Sequence, residues 1–169
     1  MKKSIIIAVI VAAIAIPVGV YGAWPLFINT TVDEPAPTTS VDDKMEGSGS
    51  NDGEEQMMDD AKVSGNFVGV GDGIHNAQGM ATVIPLDGND VLRLEDFRST
   101  NGPDLYVYLS ADKQASEFVD LGRLKANNGN QNYEIPEGID LSKYDTVLIW
   151  CKSFSVLFGS AELTENPSA

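Results

Sequence analysis

The chain has 169 residues and a net charge of -14, from 25 acidic and 11 basic side chains. A surface this negative repels phosphate backbones and carries no basic patch, so nucleic-acid binding is excluded as a class. One cysteine, Cys151, and one histidine, His75, exclude an intramolecular disulfide, a four-cysteine cluster, a cysteine–histidine zinc site, a CxxCH haem attachment and a blue-copper centre.

Residues 1–28 come first. From Ser4 to Val32 there is no charged side chain, and Ile5 to Ile16 is nearly unbroken Ile, Val and Ala. A bilayer core is spanned by about 20 apolar residues in a helix, so a single transmembrane helix is expected here. Lys2 and Lys3 place its start in the cytoplasm, and Tyr21 and Trp24 suit the far interface. The competing reading is a cleaved signal segment, for which Val20-Tyr21-Gly22 is a poor site. Either way the remainder is expected outside the cytoplasm, at the cell membrane. Asn29-Thr30-Thr31 has the form of a glycosylation sequon.

Residues 29–62 change character. They carry ten acids against Lys44 and Lys62, with Glu34-Pro35-Ala36-Pro37 and Gly47-Ser48-Gly49-Ser50 among them. Such a stretch buries too little apolar surface to offset its ordering entropy, so a disordered, self-repelling tether is expected. Glu54 to Ala61 has the composition of a short helix. The acidity of tether and domain is expected to hold the domain away from anionic lipid.

Residues 63–169 form one domain, with 15 acids against seven bases. Apolar side chains recur at period two between turn signals, which predicts strands at Gly65 to Val70, Gly79 to Leu86, Val91 to Phe97, Leu105 to Ser110, Phe118 to Leu124, Gln131 to Ile135, Thr146 to Lys152 and Phe154 to Glu162. Asp87-Gly88-Asn89-Asp90, Asn101-Gly102-Pro103, Asn127-Asn128-Gly129-Asn130 and Glu137-Gly138 supply the turns. Ala111 to Phe118 has room for one or two helical turns. Short strands at regular spacing predict an all-β fold, a β-sandwich or a small barrel, with Thr146 to Leu163 central. In the fourth strand the aliphatics share one face and Tyr106 and Tyr108 the other.

Chemistry is then confined to few residues. Cys151 in Val147-Leu148-Ile149-Trp150-Cys151-Lys152 reads either as a small buried hydrophobe or as a used thiol, since a lone thiol in an oxidising compartment is a liability. Lys152 points to the opposite strand face and is a poor candidate for activating it. His75 sits in a glycine-rich turn, where it reads as a loop residue or as an axial ligand or proton partner near Cys151. Met80 is a candidate soft ligand, with a core role as the alternative.

Gly65-x-Phe67, His75-x-x-x-Gly79, Gly102-Pro103-Asp104-Leu105-Tyr106-Val107, Tyr144-x-x-Val147-x-Ile149-Trp150-Cys151 and Phe154-x-Val156-x-Phe158-Gly159 occur in this order. Together they resemble the electron-transfer DM-thirteen domain, a family found beside DOMON domains in extracellular redox proteins. The resemblance implies electron transfer, with Cys151 as a bare thiol or as a ligand to a prosthetic group such as haem. No DOMON or catalytic domain accompanies it here, so a redox partner is expected to be another chain. The alternative is a non-catalytic binding or adhesion module with a structural cysteine, displaying Tyr106 and Tyr108.

Overall fold

The computed structural model describes residues 29–37 and 63–165. The expected membrane helix at residues 1–28 and the short helix at Glu54 to Ala61 lie outside the described residues. Among the described residues no helix is long and apolar enough to cross a membrane.

The domain is a sandwich of two antiparallel five-stranded sheets. The ten strands are β1 (Val63–Asn66), β2 (Val68–Gly69), β3 (Ala77–Ile84), β4 (Val91–Ser99), β5 (Leu105–Ser110), β6 (Phe118–Arg123), β7 (Gln131–Glu134), β8 (Thr146–Cys151), β9 (Val156–Glu162) and β10 (Thr164–Glu165). One sheet runs β10-β1-β3-β4-β7 and the other β2-β9-β8-β5-β6. All eight expected strands are present, and a barrel is not formed. The run expected as one strand at Gly65 to Val70 is two, because the chain changes sheets at Phe67. Phe67 sends its ring into the core, edge-on to Phe97 at 5.4 Å. Ala111 to Phe118 is a loop of bends and turns rather than helix. Asp112 receives the Gln114 and Ser116 N–H groups there, so a side chain takes the donors a helix would use.

Period two decides the burial. Leu105, Val107 and Leu109 of β5, Val147 and Ile149 of β8, and Leu92 and Leu94 of β4 join one apolar layer between the sheets. Each fully buried aliphatic side chain contributes about 1.5–3 kcal/mol. One polar group is built into this layer. Gln131 is fully buried, accepts from the Ala126 N–H at 3.1 Å and donates to the Ala126 carbonyl at 2.9 Å. The Tyr133 hydroxyl donates to the same Gln131 oxygen at 2.8 Å. Burial pushes the Tyr133 phenol well above its ordinary range, so it stays a donor.

Residues 29–37 are not a free tether. They run parallel to residues 128–132 as an extended strap. The Val32 N–H donates to the Asn128 carbonyl and the Asn128 N–H to the Thr30 carbonyl, both at 3.1 Å. The Glu34 N–H donates to the Asn130 carbonyl at 3.0 Å. The Glu34 carboxylate receives Lys125 Nζ at 2.8 Å and the Asn132 N–H at 2.7 Å. Gly129 has φ of 98°, and a Cβ there would lie 1.9 Å from the Val32 carbonyl oxygen, so only glycine lets the strap pass. Asn127 to Asn130, expected only as a turn, is therefore also the seat of the strap, which blunts the sheet edge at β7. The expected tether accordingly begins no earlier than residue 38.

Replacing Gln131 by Leu leaves the Ala126 N–H and carbonyl unpaired in the core, and a loss of about 3 kcal/mol is expected in urea unfolding. The strap carries its own test. Burial opposes the Glu34 charge, but the bonds from Lys125 and the Asn132 N–H outweigh it and hold the carboxyl below its ordinary value of 4.5. A depressed folded value means that this contribution is present above pH 4.5 and is lost as the pH falls through the lower, folded value. Glu34→Ala is expected to speed hydrogen exchange of the Val32 and Asn128 amides roughly tenfold or more, leaving β8 unchanged.

Candidate functional site

Cys151 ends β8, the middle strand of its sheet. It is 1 % exposed, belongs to the core layer, and pairs in register with Leu105 of β5 and Val156 of β9. Lys152 leaves the strand to the other face, where its Nζ lies 4.5 Å from the Tyr106 ring centre and 3.2 Å from Asp120. It does not serve the thiol.

The β8–β9 hairpin contains the feature that opens the site. Trp150 pairs with Leu157 and Ile149 with Gly159, so Phe158 is an extra residue in the β9 register. A bulge of this kind re-aims a side chain and bends the strand. Phe158, only 4 % exposed, stands edge-on to the His75 imidazole with ring centres 4.5 Å apart. Both rings line a cleft of about 420 Å³, together with Asn101, Gly102, Pro103, Cys151, Phe154 and Val156. Gly102 keeps one wall thin, since a Cβ there would come within 2.9 Å of the Phe158 ring.

His75 is brought to this cleft by the β2–β3 loop. Asp72 folds the loop on itself, accepting the Ile74 N–H at 2.8 Å and the His75 N–H at 2.7 Å through one oxygen. Its other oxygen lies 2.6 Å from His75 Nδ1. These bonds, first the His75 N–H, then the imidazole, then the Ile74 N–H, pull the Asp72 carboxyl down to about 2. Asp72 is thus ionised at neutral pH and fixes one ring nitrogen, leaving Nε2 for another partner. A carboxylate behind an imidazole is the arrangement that orients histidine ligands in metal and haem sites.

The sole thiol and the sole imidazole of the chain therefore line one cleft. Met80 does not join them. It lies on β3 opposite Asn66 and Glu95, just before the fully buried Ala81, and does not line the cleft. Sequence reasoning missed Asp72 and Phe158. The first is signalled by the Asp-x-x-His spacing among glycines, whereas the second depends on a register shift that no residue pattern announces. The tyrosine face that a binding module would display is largely closed. Tyr108 is 1 % exposed beneath Phe118, stacked at 4.2 Å, and Tyr106 lies between Arg123 and Lys152.

The donor set limits what this cleft can hold. Among the described residues no group of three or more His, Cys, Asp or Glu side chains is placed to bind a metal ion. One thiolate and one imidazole are too few to enclose a bare ion. They suit a group that brings most of its own ligands. A haem iron takes four nitrogens from its macrocycle and needs only one or two donors from protein. The apolar walls of Phe154, Val156 and Phe158 suit the macrocycle, so the residues present fit such a group.

A family model described as "Electron transfer DM13" matches residues 69–163. The matched stretch begins in β2 and ends after β9, so it contains the whole cleft. No curated protein and no solved structure matches the chain. More than half of the chain thus follows one family model, and the chain belongs to the electron-transfer DM13 family.

Proposed function

We propose that this chain is a membrane-anchored, extracytoplasmic electron-transfer module whose working site is the cleft between His75 and Cys151, with Cys151 as ligand to a prosthetic group. The observation that carries this reading is that the only thiol and the only imidazole of the chain line one cleft, with the imidazole oriented by Asp72. The apolar run of residues 1–28 behind Lys2 and Lys3 supports the anchoring and its direction.

Haem is the group the donor set fits best, and when bound it would supply a one-electron couple. The protein's share is to hold and tune it. Cys151 offers a thiolate at the end of a rigid central strand. His75 offers Nε2, fixed in direction because Nδ1 is committed to Asp72. Val156 and Phe158 give the cleft apolar walls, which would raise the energetic weight of charges near a bound group. Thiol cycling by itself is less well supported, since exchange needs an attacking thiol to reach the sulfur, and Cys151 is 1 % exposed.

That same burial favours a second reading, a binding module in which Cys151 is structural. The two separate in an absorption experiment on the full chain in detergent. Added haem is expected to give a Soret band that shifts on reduction, lost in Cys151→Ser and displaced in wavelength in His75→Ala. A featureless spectrum, with Cys151 inert to thiol reagents until unfolding, selects the second reading. For the orienting carboxylate, Asp72→Asn is expected to weaken haem binding by about 10–100-fold without abolishing it, as read by titration. An unchanged affinity shows that His75 does not act through Asp72.

A further inference from the structure

The strap fixes where the anchor leaves the domain. Asn29, the first residue after the apolar run, accepts from Asn101 Nδ2 at 3.1 Å and from Asn127 Nδ2 at 3.0 Å. A free tether over residues 29–62 would hold its ends roughly 30 Å apart. Here Asn29, which directly follows the apolar run in sequence, is already bonded to the domain. Asn101 is also a cleft residue. Asn101, Gly102 and Pro103 form a wall shared by the Cys151 cleft and a neighbouring depression of about 250 Å³ that Thr30 of the strap helps to line. The first described residue after the apolar run is therefore bonded directly to a residue of the cleft wall.

The same end of the sandwich is the apolar end. Five large hydrophobic side chains are exposed among the described residues. Phe154 lines the cleft, Ile74 adjoins the cleft residue His75 in sequence, and Val68 and Val70 lie along the edge strand that leads to that loop. Val68 and Val70 lie on and just after β2, Ile74 is in the β2–β3 loop, and Phe154 is in the β8–β9 turn. Ile74 and Phe154 are 70 % and 68 % exposed. The opposite end, about 25 Å away along β3, carries Asp87-Gly88-Asn89-Asp90. At the apolar end the nearby carboxylates are engaged, Asp72 by His75 and Asp104 by Arg123.

We propose that this apolar rim docks on the bilayer in which residues 1–28 are anchored, so that the Cys151 cleft opens at the headgroup layer. The inference rests on the membrane-anchored reading above. Two independent features point the same way: the place where the apolar segment ends, and the clustering of exposed apolar side chains around that place. The acidity of the domain opposes approach to anionic lipid, so the docking surface is suited to zwitterionic headgroups, with the acidic end turned to water.

The test uses the full chain in phosphatidylcholine vesicles, spin-labelled at Ile74→Cys or, as the control at the far end, at Asn89→Cys. Both are made on a Cys151→Ala background, and the native background, where Cys151 is 1 % exposed, serves if that variant does not fold. Vesicle flotation first reports whether the chain is held by the membrane. Collision with oxygen, relative to a water-soluble nickel chelate, then reports lipid contact, and a ratio several-fold higher at position 74 than at 89 is expected. Chains that float with both labels equally in water overturn the docking and leave the anchor standing. Chains that do not float overturn both. Loosening the strap with Asn101→Ala and Glu34→Ala is expected to lower the ratio at 74 while flotation persists. A ratio unchanged by that pair shows that the strap does not set the orientation, and overturns the proposal.

Discussion

Small residues let the two sheets approach closely beside the site, and the site depends on that contact. A Cβ on Gly159 would lie 2.7 Å from the Ala77 Cβ and 3.0 Å from the Val68 carbonyl oxygen. Glycine and alanine here bring β9 against β2 and the start of β3, so the β2–β3 loop has nowhere to go but over the end of the core. His75 is carried with it. One residue before Gly159, the Phe158 bulge turns an aromatic ring to meet the imidazole. The cleft is therefore a consequence of sheet packing, and the side chains that line it inherit the rigidity of two central strands.

Much of the scaffold was legible in the sequence, because the side-chain period of a strand is imposed by the pleat and survives in any half-buried sheet. Leu105-Tyr106-Val107-Tyr108-Leu109 reads correctly residue by residue, with its aliphatics in the core and its tyrosines on the outer face. The place where reading failed is instructive. Gly65 to Val70 alternates without interruption, yet Phe67 is where the chain leaves one sheet for the other. Alternation reports which side chains are buried, and both sheets bury toward the same layer, so a change of sheet leaves the pattern intact.

The site was legible as residues and illegible as geometry. Cys151 and His75 stand out because each occurs once, but their sharing of one cleft depends on a loop and a hairpin that are distant in sequence. The strap was hidden for a different reason. Residues 29–37 have the polar, proline-containing composition of a disordered segment. Their partner surface is equally polar: the backbone and side-chain amides of Asn127 to Asn132, with Lys125 and Arg93, which donates to the Glu34 carbonyl at 3.2 Å. Hydrogen bonds and one ion pair hold it, with almost no apolar burial, so hydrophobic patterning carries no trace of it.

The burial of Cys151 bears differently on the two kinds of redox chemistry. A thiol that exchanges with another thiol must be touched by it, and the attacking sulfur must approach along the existing bond. Side chains as large as Phe154 and Phe158 at the mouth of the cleft stand against such an approach. A ligand sulfur must be reached as well, but only once, when a group enters the cleft that Cys151 helps to line; electrons then cross packed protein without atoms changing place. For that task the buried end of a central strand is a favourable position, because the donor is held still. Asp72 is an ionised group held 2.6 Å from His75 Nδ1, and it bears on the cleft only through the imidazole ring. Were a prosthetic group held in the cleft, that carboxylate would act on it through the ring and not by contact.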